Sequence, residues 1–320
     1  MVRNQIVRRS FGAVNKDKVI RGKSSSGGIF TLIATQVIRM NGIVFGAAMS
    51  DDCHSVVHCK VTDIADLEKL RTSKYVQSKI EDTYQDAKSY LDNGKTVLFT
   101  GTPCQIVGLK SFLGKKYSNL ITQDIVCHGS PSKMVWEEYL NRLEQRYNSK
   151  SKTVNFRYKC PGANVYSLRI EFENGDEYCN DRFGDLYLRG YLSNLFLRPS
   201  CYNCQFKGLD RMSDITLADF WGVDNYAPKL NDQFGVSLIT VHTEKGLELF
   251  NNIKKEIEFV EVDDQPLIAN SCSIKSTIKP NGRDLFWRDY NDVGNKVFDK
   301  YFSPSLKEKI KKFIKKILGK

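Results

Sequence analysis

Apolar positions recur along the chain with two spacings, and each spacing predicts a different kind of element. The first twenty residues have a pattern typical of a strand, and residues 42–48 and 55–61 are two further predicted strands that pair. The polar segment 21–28 precedes a predicted helix, whose apolar positions are Ile29, Leu32, Ile33, Val37 and Ile38. A second helix is predicted from Tyr84 to Leu91.

The clearest pattern lies between residues 97 and 143, where two short apolar strands alternate with two helices. The strands are predicted over 97–99 and 120–126. Pro103 suits the first turn of the helix that follows, because its missing N–H would be unpaired there in any case. An order of strand, helix, strand and helix predicts parallel strands with a right-handed crossover. The sequence therefore predicts an α/β fold with a parallel βαβ core.

The pattern changes after about residue 150 and takes on α+β character. Asn174 and Gly175 separate two alternating runs, which indicates a tight β-hairpin. A long amphipathic helix is predicted over 182–197, followed by strands over 214–218 and 234–241. We therefore expect an added β-hairpin and helical region beside the parallel core.

Composition excludes several classes of protein. The chain has 320 residues, of which 41% are hydrophobic and 11% aromatic, so it is not a disordered protein. No run of about 18 apolar residues predicts a transmembrane helix, and the basic N-terminus lacks the apolar region of a secretory signal. We therefore expect a cytoplasmic protein.

The basic charge is concentrated at one end of the chain. The net charge is +11, and the segment 305–320 holds seven lysines and one glutamate. A nucleic-acid partner is not expected, because such proteins carry a basic groove with interleaved aromatic residues. Apolar residues of this tail recur at helical spacing opposite the lysines, which is typical of peripheral contact with the inner face of an anionic membrane. A solvated terminal helix is the alternative.

Four of the nine cysteines form a candidate metal site. Cys104 and Cys127 each follow a predicted parallel strand, at the edge of the sheet where ligands bind in α/β folds. Cys201 and Cys204 form a C-x2-C pair, which turns both sulfurs toward one metal. Four thiolates suit one 4Fe–4S cluster or one zinc ion. Burial as small packing residues is the alternative for the first two cysteines.

Other polar motifs point less specifically to a function. The loop 24–28 opens a helix and could hold a phosphate on free backbone N–H groups, or act only as a helix cap. Cys53 and Cys59 would lie on one face of a strand and His54 and His58 on the other, so a structural role is favoured there. Three cysteines without a partner pattern are expected to pack, namely Cys160, Cys179 and Cys272.

Several motifs in order closely resemble one known family. They are SSSGG at 24–28, SKYVQS at 73–78, FTGTPCQIVGL at 99–109, DIVCHGSPS at 124–132 and RPSCYNCQFKGLDRMSDITLADFWG at 198–222. Together they resemble the coenzyme F-420 hydrogenase/dehydrogenase beta-subunit family. The resemblance implies an oxidoreductase that contains FAD and a 4Fe–4S cluster and passes electrons to the deazaflavin coenzyme F-420. It also implies a flavin-loop region at 1–92, an iron–sulfur and flavin core at 93–262 and a helical extension at 263–320.

The resemblance also assigns residues. The cluster ligands it implies are Cys104, Cys127, Cys201 and Cys204. The residues it places at the flavin are Ser24, Ser25, Ser26, Gly27, Gly28, Lys74, Tyr75, Gln77, Ser78, Gly101, Thr102, Pro103, Asp219 and Trp221. A folding role is the alternative for the tryptophan. His128, beside a cluster cysteine, is expected either to tune a cofactor or to cap a turn.

One departure from the family concerns the electron donor. Many bacterial members begin with a ferredoxin-like module, and this sequence shows none of its cysteine runs. We therefore expect a ferredoxin-like or other electron-transfer protein as partner. Bacterial members often accompany surface-polysaccharide genes, which makes a different small redox coenzyme an alternative acceptor. A non-redox accessory protein of glycan assembly, with a structural four-cysteine metal site, is the competing hypothesis.

Overall fold

A nine-stranded mixed sheet forms the centre of the computed structural model, which describes residues 8–160 and 165–304. The strands are Arg9–Asn15 (β1), Ile43–Met49 (β2), Val56–Val61 (β3), Ser78–Lys79 (β4), Val97–Gly101 (β5), Leu120–Ile125 (β6), Ser151–Tyr158 (β7), Ser167–Phe172 (β8), Glu177–Asp181 (β9), Ile215–Asp219 (β10), Ser237–Val241 (β11) and Ile257–Val262 (β12). The spatial strand order of the large sheet is β12-β1-β11-β10-β6-β5-β2-β3-β4, and a separate antiparallel sheet has the order β7-β8-β9.

Helices cover the large sheet and form a second layer against the small one. The α-helices are Lys18–Gly22 (α1), Ile29–Arg39 (α2), Thr83–Asp92 (α3), Pro103–Leu113 (α4), Lys133–Tyr147 (α5), Leu186–Leu192 (α6), Val223–Tyr226 (α7), Glu244–Ile253 (α8), Gln265–Ala269 (α9), Ser271–Ile274 (α10), Arg283–Val293 (α11) and Val297–Phe302 (α12). Short 3-10 helices lie at Ala65–Leu70, Pro199–Asn203, Pro228–Leu230, Lys254–Glu256 and Gly294–Lys296. Among the helices described, none combines the length and the apolar character needed to cross a bilayer.

Four adjacent strands of the large sheet are parallel and confirm the predicted α/β core. β5 pairs with β6 in parallel, with Val97 opposite Leu120, and β2 and β10 extend this parallel block on its two sides. Antiparallel strands β3 and β11 flank the block. Because the carboxyl ends of the parallel strands share one edge, the residues that follow β5 and β6 lie on the same rim.

Strand alternation divides the core of the large sheet between its two faces. In β5, Val97 and Phe99 pack with α3 and α4, whereas Leu98 faces the layer that contains α2 and α8. All three of these side chains are fully buried. Both faces are therefore covered, which explains why the strand is a continuous apolar run rather than an alternating one.

The small sheet packs on an aromatic core of its own. Trp136 and Tyr139 of α5 contact Tyr187 of α6, with ring centroids 5.0 and 5.6 Å apart, respectively. α11 and α12 close this core through Phe286 and Phe298, both completely buried. Aromatic side chains bury large apolar areas, so this cluster fixes the small sheet against α5.

The predicted long helix over 182–197 is wrong, because only Leu186–Leu192 is an α-helix. Asp185 caps its start by accepting a hydrogen bond from the Leu188 N–H at 2.6 Å. Asn194 adopts a left-handed conformation with φ of 67°, which ends the helix. Arg182 and Phe183 therefore lie in the turn after β9. The predicted hairpin is confirmed by the antiparallel pairing of β8 with β9.

Candidate functional site

The loop 24–28 lies directly on the large sheet. Gly28 caps the start of α2 with a φ of 81°, in the left-handed region that favours glycine. A Cβ on Gly27 would lie 2.4 Å from the Ala13 carbonyl oxygen and 2.7 Å from the Ser237 nitrogen. The Gly27 N–H donates to the Ser237 hydroxyl at 2.9 Å. The two glycines thus let the loop approach β1 and β11 closely.

The serines of this loop connect it to other segments. The Ser26 hydroxyl donates to the Val236 carbonyl at 2.6 Å, which fixes the loop to the start of β11. The Ser25 hydroxyl accepts from the Ser73 N–H at 2.8 Å and lies 3.3 Å from the Ser73 hydroxyl. The structure therefore joins two motifs, 24–28 and 73–78, that are far apart in the sequence.

Within the 73–78 segment, Lys74, Tyr75 and Gln77 lie in three different environments. The Lys74 ammonium donates to the carbonyls of Lys69 and Arg71, at 2.9 and 2.6 Å, and its burial lowers its pKa to about 7. Tyr75 stacks on Tyr191 with centroids 4.6 Å apart. Gln77 is exposed. The Lys74 ammonium is therefore hydrogen-bonded to backbone carbonyls of its own loop.

A small cleft, with a cavity volume of about 30 Å³, opens beside the serine loop. Ser25 and Ser26 line one side, and Asp219 and Trp221, which lie at the end of β10 and just after it, line another. The tryptophan is 42% exposed, so its ring is accessible to a ligand. The structure thus brings four of the residues predicted at the flavin into one cleft.

Arg157 of β7 enters this cleft from the small sheet. The residue is only 4% exposed, and its Nη2 donates to the Asp219 carboxylate at 2.7 Å. Its guanidinium lies 4.0 Å from the centre of the Tyr166 ring. Burial by itself would lower the pKa of Arg157, but nearby Asp219 and Tyr75 outweigh it and raise that pKa above its usual value. Arg157 therefore remains a cation.

Sequence reasoning missed Arg157, and it missed the neighbouring Arg182 and Lys159. Arg182 lies 4.8 Å from the Phe183 ring and 5.9 Å from the Trp221 ring. The Lys159 ammonium donates to the Ser26 carbonyl at 2.8 Å, and burial lowers its pKa to about 8. These residues carry no motif; the signal available was Arg157 near the end of β7 with a second cation, Lys159, two residues later.

The carboxyl end of β5 is linked to the 73–78 segment by Gln105. The Gln105 side chain accepts from the Thr102 N–H at 2.9 Å and donates to the Ser78 hydroxyl at 2.7 Å. Thr102 completes a capping box with Gln105 at the start of α4, and Pro103 occupies the first turn. The Thr102 hydroxyl lies 3.1 Å from the Cys104 sulfur. Hydrogen bonds therefore run from Ser78 to the first candidate cluster cysteine.

The four predicted cysteine ligands come close enough to influence one another electrostatically. The pKa of Cys127 is raised to about 12, mainly by burial; Lys207 opposes the rise, and Cys104, Cys201 and Cys204 contribute to it. The Ser130 N–H donates to the Cys201 sulfur at 3.3 Å, an orientation that favours its thiolate. The rim of the parallel sheet and the C-x2-C segment thus meet at one place.

The described residues contain no group already arranged around a single metal ion. Across residues 8–160 and 165–304, no three His, Cys, Asp or Glu side chains converge as ligands of one ion. Zinc–sulfur bonds of about 2.3 Å require four sulfurs to close tightly around one point. In a 4Fe–4S cluster each of four thiolates has its own iron, so the sulfurs stand farther apart.

His128 lies between Cys272 and Asn194 beside this group. Its Nδ1 is 3.3 Å from the Cys272 sulfur, and its Nε2 is 2.6 Å from the Asn194 side-chain oxygen. Burial lowers the pKa of His128, which favours a neutral ring. Lys207 donates to the Cys272 carbonyl at 2.7 Å and also contacts the Cys127 carbonyl.

The Cys53 to Cys59 segment does not form a continuous strand. Cys53 lies in a turn with a φ of 60°, and β3 begins only at Val56. His58 is buried, with its Nε2 3.0 Å from the Thr100 carbonyl oxygen. The arrangement agrees with the structural role that the sequence favoured.

Comparison with known proteins decides the family. The family model for the C terminus of the coenzyme F420 hydrogenase/dehydrogenase beta subunit matches residues 94–265, more than half of the chain. This chain belongs to that family. The match covers all four candidate cluster cysteines, the linking Gln105 and the cleft residues from Arg157 to Trp221.

Two relatives agree with this assignment. The chain is 24% identical over 294 residues to the "Coenzyme F420-dependent sulfite reductase" of Methanocaldococcus jannaschii, and the match covers 88% of this chain. It spans only 44% of that relative. A chain of the solved F420-reducing [NiFe] hydrogenase complex from Methanosarcina barkeri aligns with a TM-score of 0.54 and 16% identity, covering 89% of this chain and 93% of that chain. The structural likeness supports the α/β fold.

Proposed function

We propose that this protein is an iron–sulfur flavoprotein oxidoreductase. It would bind FAD in the cleft and hold one 4Fe–4S cluster on Cys104, Cys127, Cys201 and Cys204. Its second substrate would be the deazaflavin coenzyme F-420 or another small redox coenzyme. The observation that supports this proposal is the electrostatic influence of Cys104, Cys201 and Cys204 on Cys127. Gln105 also links the start of α4 to Ser78, in the segment whose Ser73 contacts the serine loop.

The cleft offers groups that fit a flavin nucleotide. In the part of the chain that the structure describes, the buried Nε atoms of Arg157 and Arg182 have no hydrogen-bond partner. Buried donors without partners are costly, so a ligand that accepts from them would be favoured. Ser25 and Ser26 would hold FAD there, and Trp221 would contact it. Bound FAD would supply hydride and electron transfer.

The cysteine group offers donors that fit an iron–sulfur cluster. Thiolates are soft ligands that select iron–sulfur clusters, zinc or copper(I). A bound cluster would supply one-electron transfer to and from the flavin. The raised pKa of Cys127 reflects its burial first and the mutual repulsion of clustered thiolates second, and a cationic cluster core relieves that repulsion. The protein's own contribution is therefore to keep four sulfurs together on the rim of the sheet.

The partners and setting follow from the same hypothesis. We propose a ferredoxin-like or other electron-transfer protein as the redox partner, and surface-polysaccharide biosynthesis as the process served. We also propose that the chain is divided into three regions, namely 1–92, 93–262 and 263–320. The basic tail 305–320 lies outside the described residues; from its sequence pattern we propose contact with an anionic membrane surface.

Spectroscopy of the anaerobically purified full chain tests the proposal. We expect a brown protein with flavin bands and a broad absorption that dithionite bleaches, together with an EPR signal of the reduced cluster. Metal analysis should give about four irons per chain, as one 4Fe–4S cluster requires. A colourless protein with stoichiometric zinc would refute the redox function and favour the accessory protein with a structural metal.

A further inference from the structure

The cationic side chain of Arg157 is held in place from three sides. Its Nη2 donates to the Asp219 carboxylate at 2.7 Å and lies 3.4 Å from the Ser25 carbonyl oxygen. Tyr166 covers the guanidinium at 4.0 Å. A side chain that is held so firmly loses little further entropy when it binds a ligand.

Arg157 still has donors to offer after these contacts. A guanidinium carries five N–H groups, and the Nε of Arg157 is buried with no partner in residues 8–160 and 165–304. Arg21 provides a comparison, because it is equally buried at 4% exposure. The Nε of Arg21 donates to the Gly235 carbonyl at 3.1 Å, and its two terminal nitrogens donate to Asp232 at 2.6 and 2.5 Å. Each of the three guanidinium nitrogens of Arg21 has a protein partner, whereas the Nε of Arg157 has none in the described residues.

Arg157 is also one of the residues at the wall of the cleft. It lines the cleft together with Ser25, Ser26 and Trp221. It reaches this place from the small sheet, whereas the other three come from the layer of the large sheet. A ligand in the cleft would therefore meet one fixed cation and polar groups from two parts of the fold.

We propose that Arg157 binds a negative charge of the cofactor that occupies this cleft. The inference rests on the proposed flavin function and adds a residue to it. Two parts of a flavin nucleotide carry such a charge: the phosphates, and the ring when it is reduced to its anion. Arginine suits both, because its planar fork donates two parallel hydrogen bonds to neighbouring oxygen or nitrogen acceptors.

Binding of flavins to the full-length protein stripped of flavin tests this inference. The variant Arg157→Gln should weaken FAD binding about tenfold or more, since a charge-assisted hydrogen bond contributes more than about 1.4 kcal/mol. Arg157→Lys keeps the charge but not the fork, so it should give an intermediate dissociation constant. Quenching of flavin fluorescence measures these constants.

Comparison of three flavins identifies the charge that Arg157 binds. If it binds a phosphate, Arg157→Gln should weaken FAD and FMN but leave riboflavin unchanged. If it binds the ring, reduced riboflavin should also bind more weakly, and the midpoint potential should fall because the reduced anion loses its cation. Equal binding of all three flavins by Arg157→Gln and the unmodified protein, with an unchanged potential, would overturn the inference.

Controls separate this result from misfolding and from failure of the proposed function. Arg169→Gln is a matched control, because Arg169 also lies on the small sheet, over Tyr158 at 4.7 Å and paired with Glu177 at 2.6 Å, but outside the cleft. The double variant Arg157→Gln with Asp219→Asn removes both charges. A loss of flavin binding in this variant cannot be caused by an Asp219 carboxylate left without its cationic partner. If the unmodified protein binds no flavin, the proposed function fails, rather than the role of Arg157 alone.

Discussion

At the scale of single residues, Gly27 shows how tightly the serine loop is fitted to the sheet. An added Cβ would lie 2.4 Å from the Ala13 carbonyl oxygen, and backbone cannot move away as a flexible side chain can. We expect Gly27→Ala to reduce the free energy of unfolding by about 1–3 kcal/mol and to weaken flavin binding. Urea unfolding and flavin titration measure the two effects.

Gly22 provides the control for that substitution. It lies five residues earlier, at the end of α1, and a Cβ there would meet nothing within 4 Å. Gly22→Ala should therefore leave the stability unchanged or raise it by about 0.4–1 kcal/mol. Equal losses of stability in both variants would contradict the close approach of the loop to β1.

The cluster assignment is tested most directly at Cys104. Its position at the start of α4, after the parallel strand β5, connects it with the other three thiols. We expect Cys104→Ala to abolish the four-iron cluster while flavin binding is partly kept. Iron content and EPR of anaerobic protein measure this. Cys160→Ala is the control, since Cys160 is exposed and lies just after β7; unchanged iron in Cys104→Ala would refute the four-ligand assignment.

His58 gives a prediction for the pH dependence of stability. Burial lowers its pKa to about 4 in the folded protein, against about 6.5 in an unfolded chain. The unfolded state therefore binds more protons between these values, and stability falls as the pH drops from about 6.5 to about 4, by up to about 3 kcal/mol. His58→Gln should remove this part of the decline. Urea unfolding at several pH values measures this decline. The prediction is wrong if the free energy of unfolding falls equally in both proteins between pH 6.5 and pH 4.

At the scale of elements, the start of α4 connects the cleft side of the fold with the cysteine side. Gln105 closes the capping box with Thr102 and reaches Ser78 on the edge strand β4. We expect Gln105→Ala to cost about 1 kcal/mol of stability, because it removes both hydrogen bonds. Gln145→Ala, at an exposed position of α5, should change the stability by less than about 0.5 kcal/mol in the same urea experiment.

The short α6 shows how a tertiary contact limits an amphipathic pattern. Asp185 is fully buried and accepts hydrogen bonds from Tyr139 and Tyr178, at 2.6 and 2.8 Å, and its backbone is extended, with ψ of 128°, outside the helix. Its cap delays the helix to Leu186. The preceding Arg182 is thereby left beside the cleft, where the sequence pattern gave no reason to expect it.

At the scale of the whole molecule, two sheets contribute to one cleft. The large sheet supplies the serine loop and the residues at the end of β10, and the small sheet supplies Arg157. Lys159 donates to carbonyls at Arg21, Ser26 and Phe234 and so ties the small sheet to the rim of the cleft. The cleft therefore depends on the packing of both sheets.

The basic tail gives a prediction for the behaviour of the whole protein. Deletion of 305–320 removes +6 of the net charge of +11. We expect the intact chain to sediment with vesicles that contain anionic lipid, more strongly at low salt, and the truncated chain to stay in the supernatant. Vesicles of neutral lipid are the control. The same sedimentation with and without the tail would disprove the membrane contact.

The sequence by itself determined the parallel core and the C-x2-C pair. Both depend on local patterns: short apolar runs followed by helix starts, and two cysteines separated by two residues. Because parallel strands end at one edge, the neighbouring positions of Cys104 and Cys127 also followed from order along the chain. Most motif residues expected at the flavin required the family resemblance in addition.

Only the tertiary structure decided how the cleft is built. Arg157 meets Asp219 across 62 residues, and Ser25 meets Ser73 across 48. Such contacts leave no period in the sequence, because each depends on a single pair of side chains brought together by the packing of distant elements. For the same reason Lys74, which belongs to a motif expected at the flavin, hydrogen-bonds to its own loop, and Arg157, which belongs to no motif, lines the cleft.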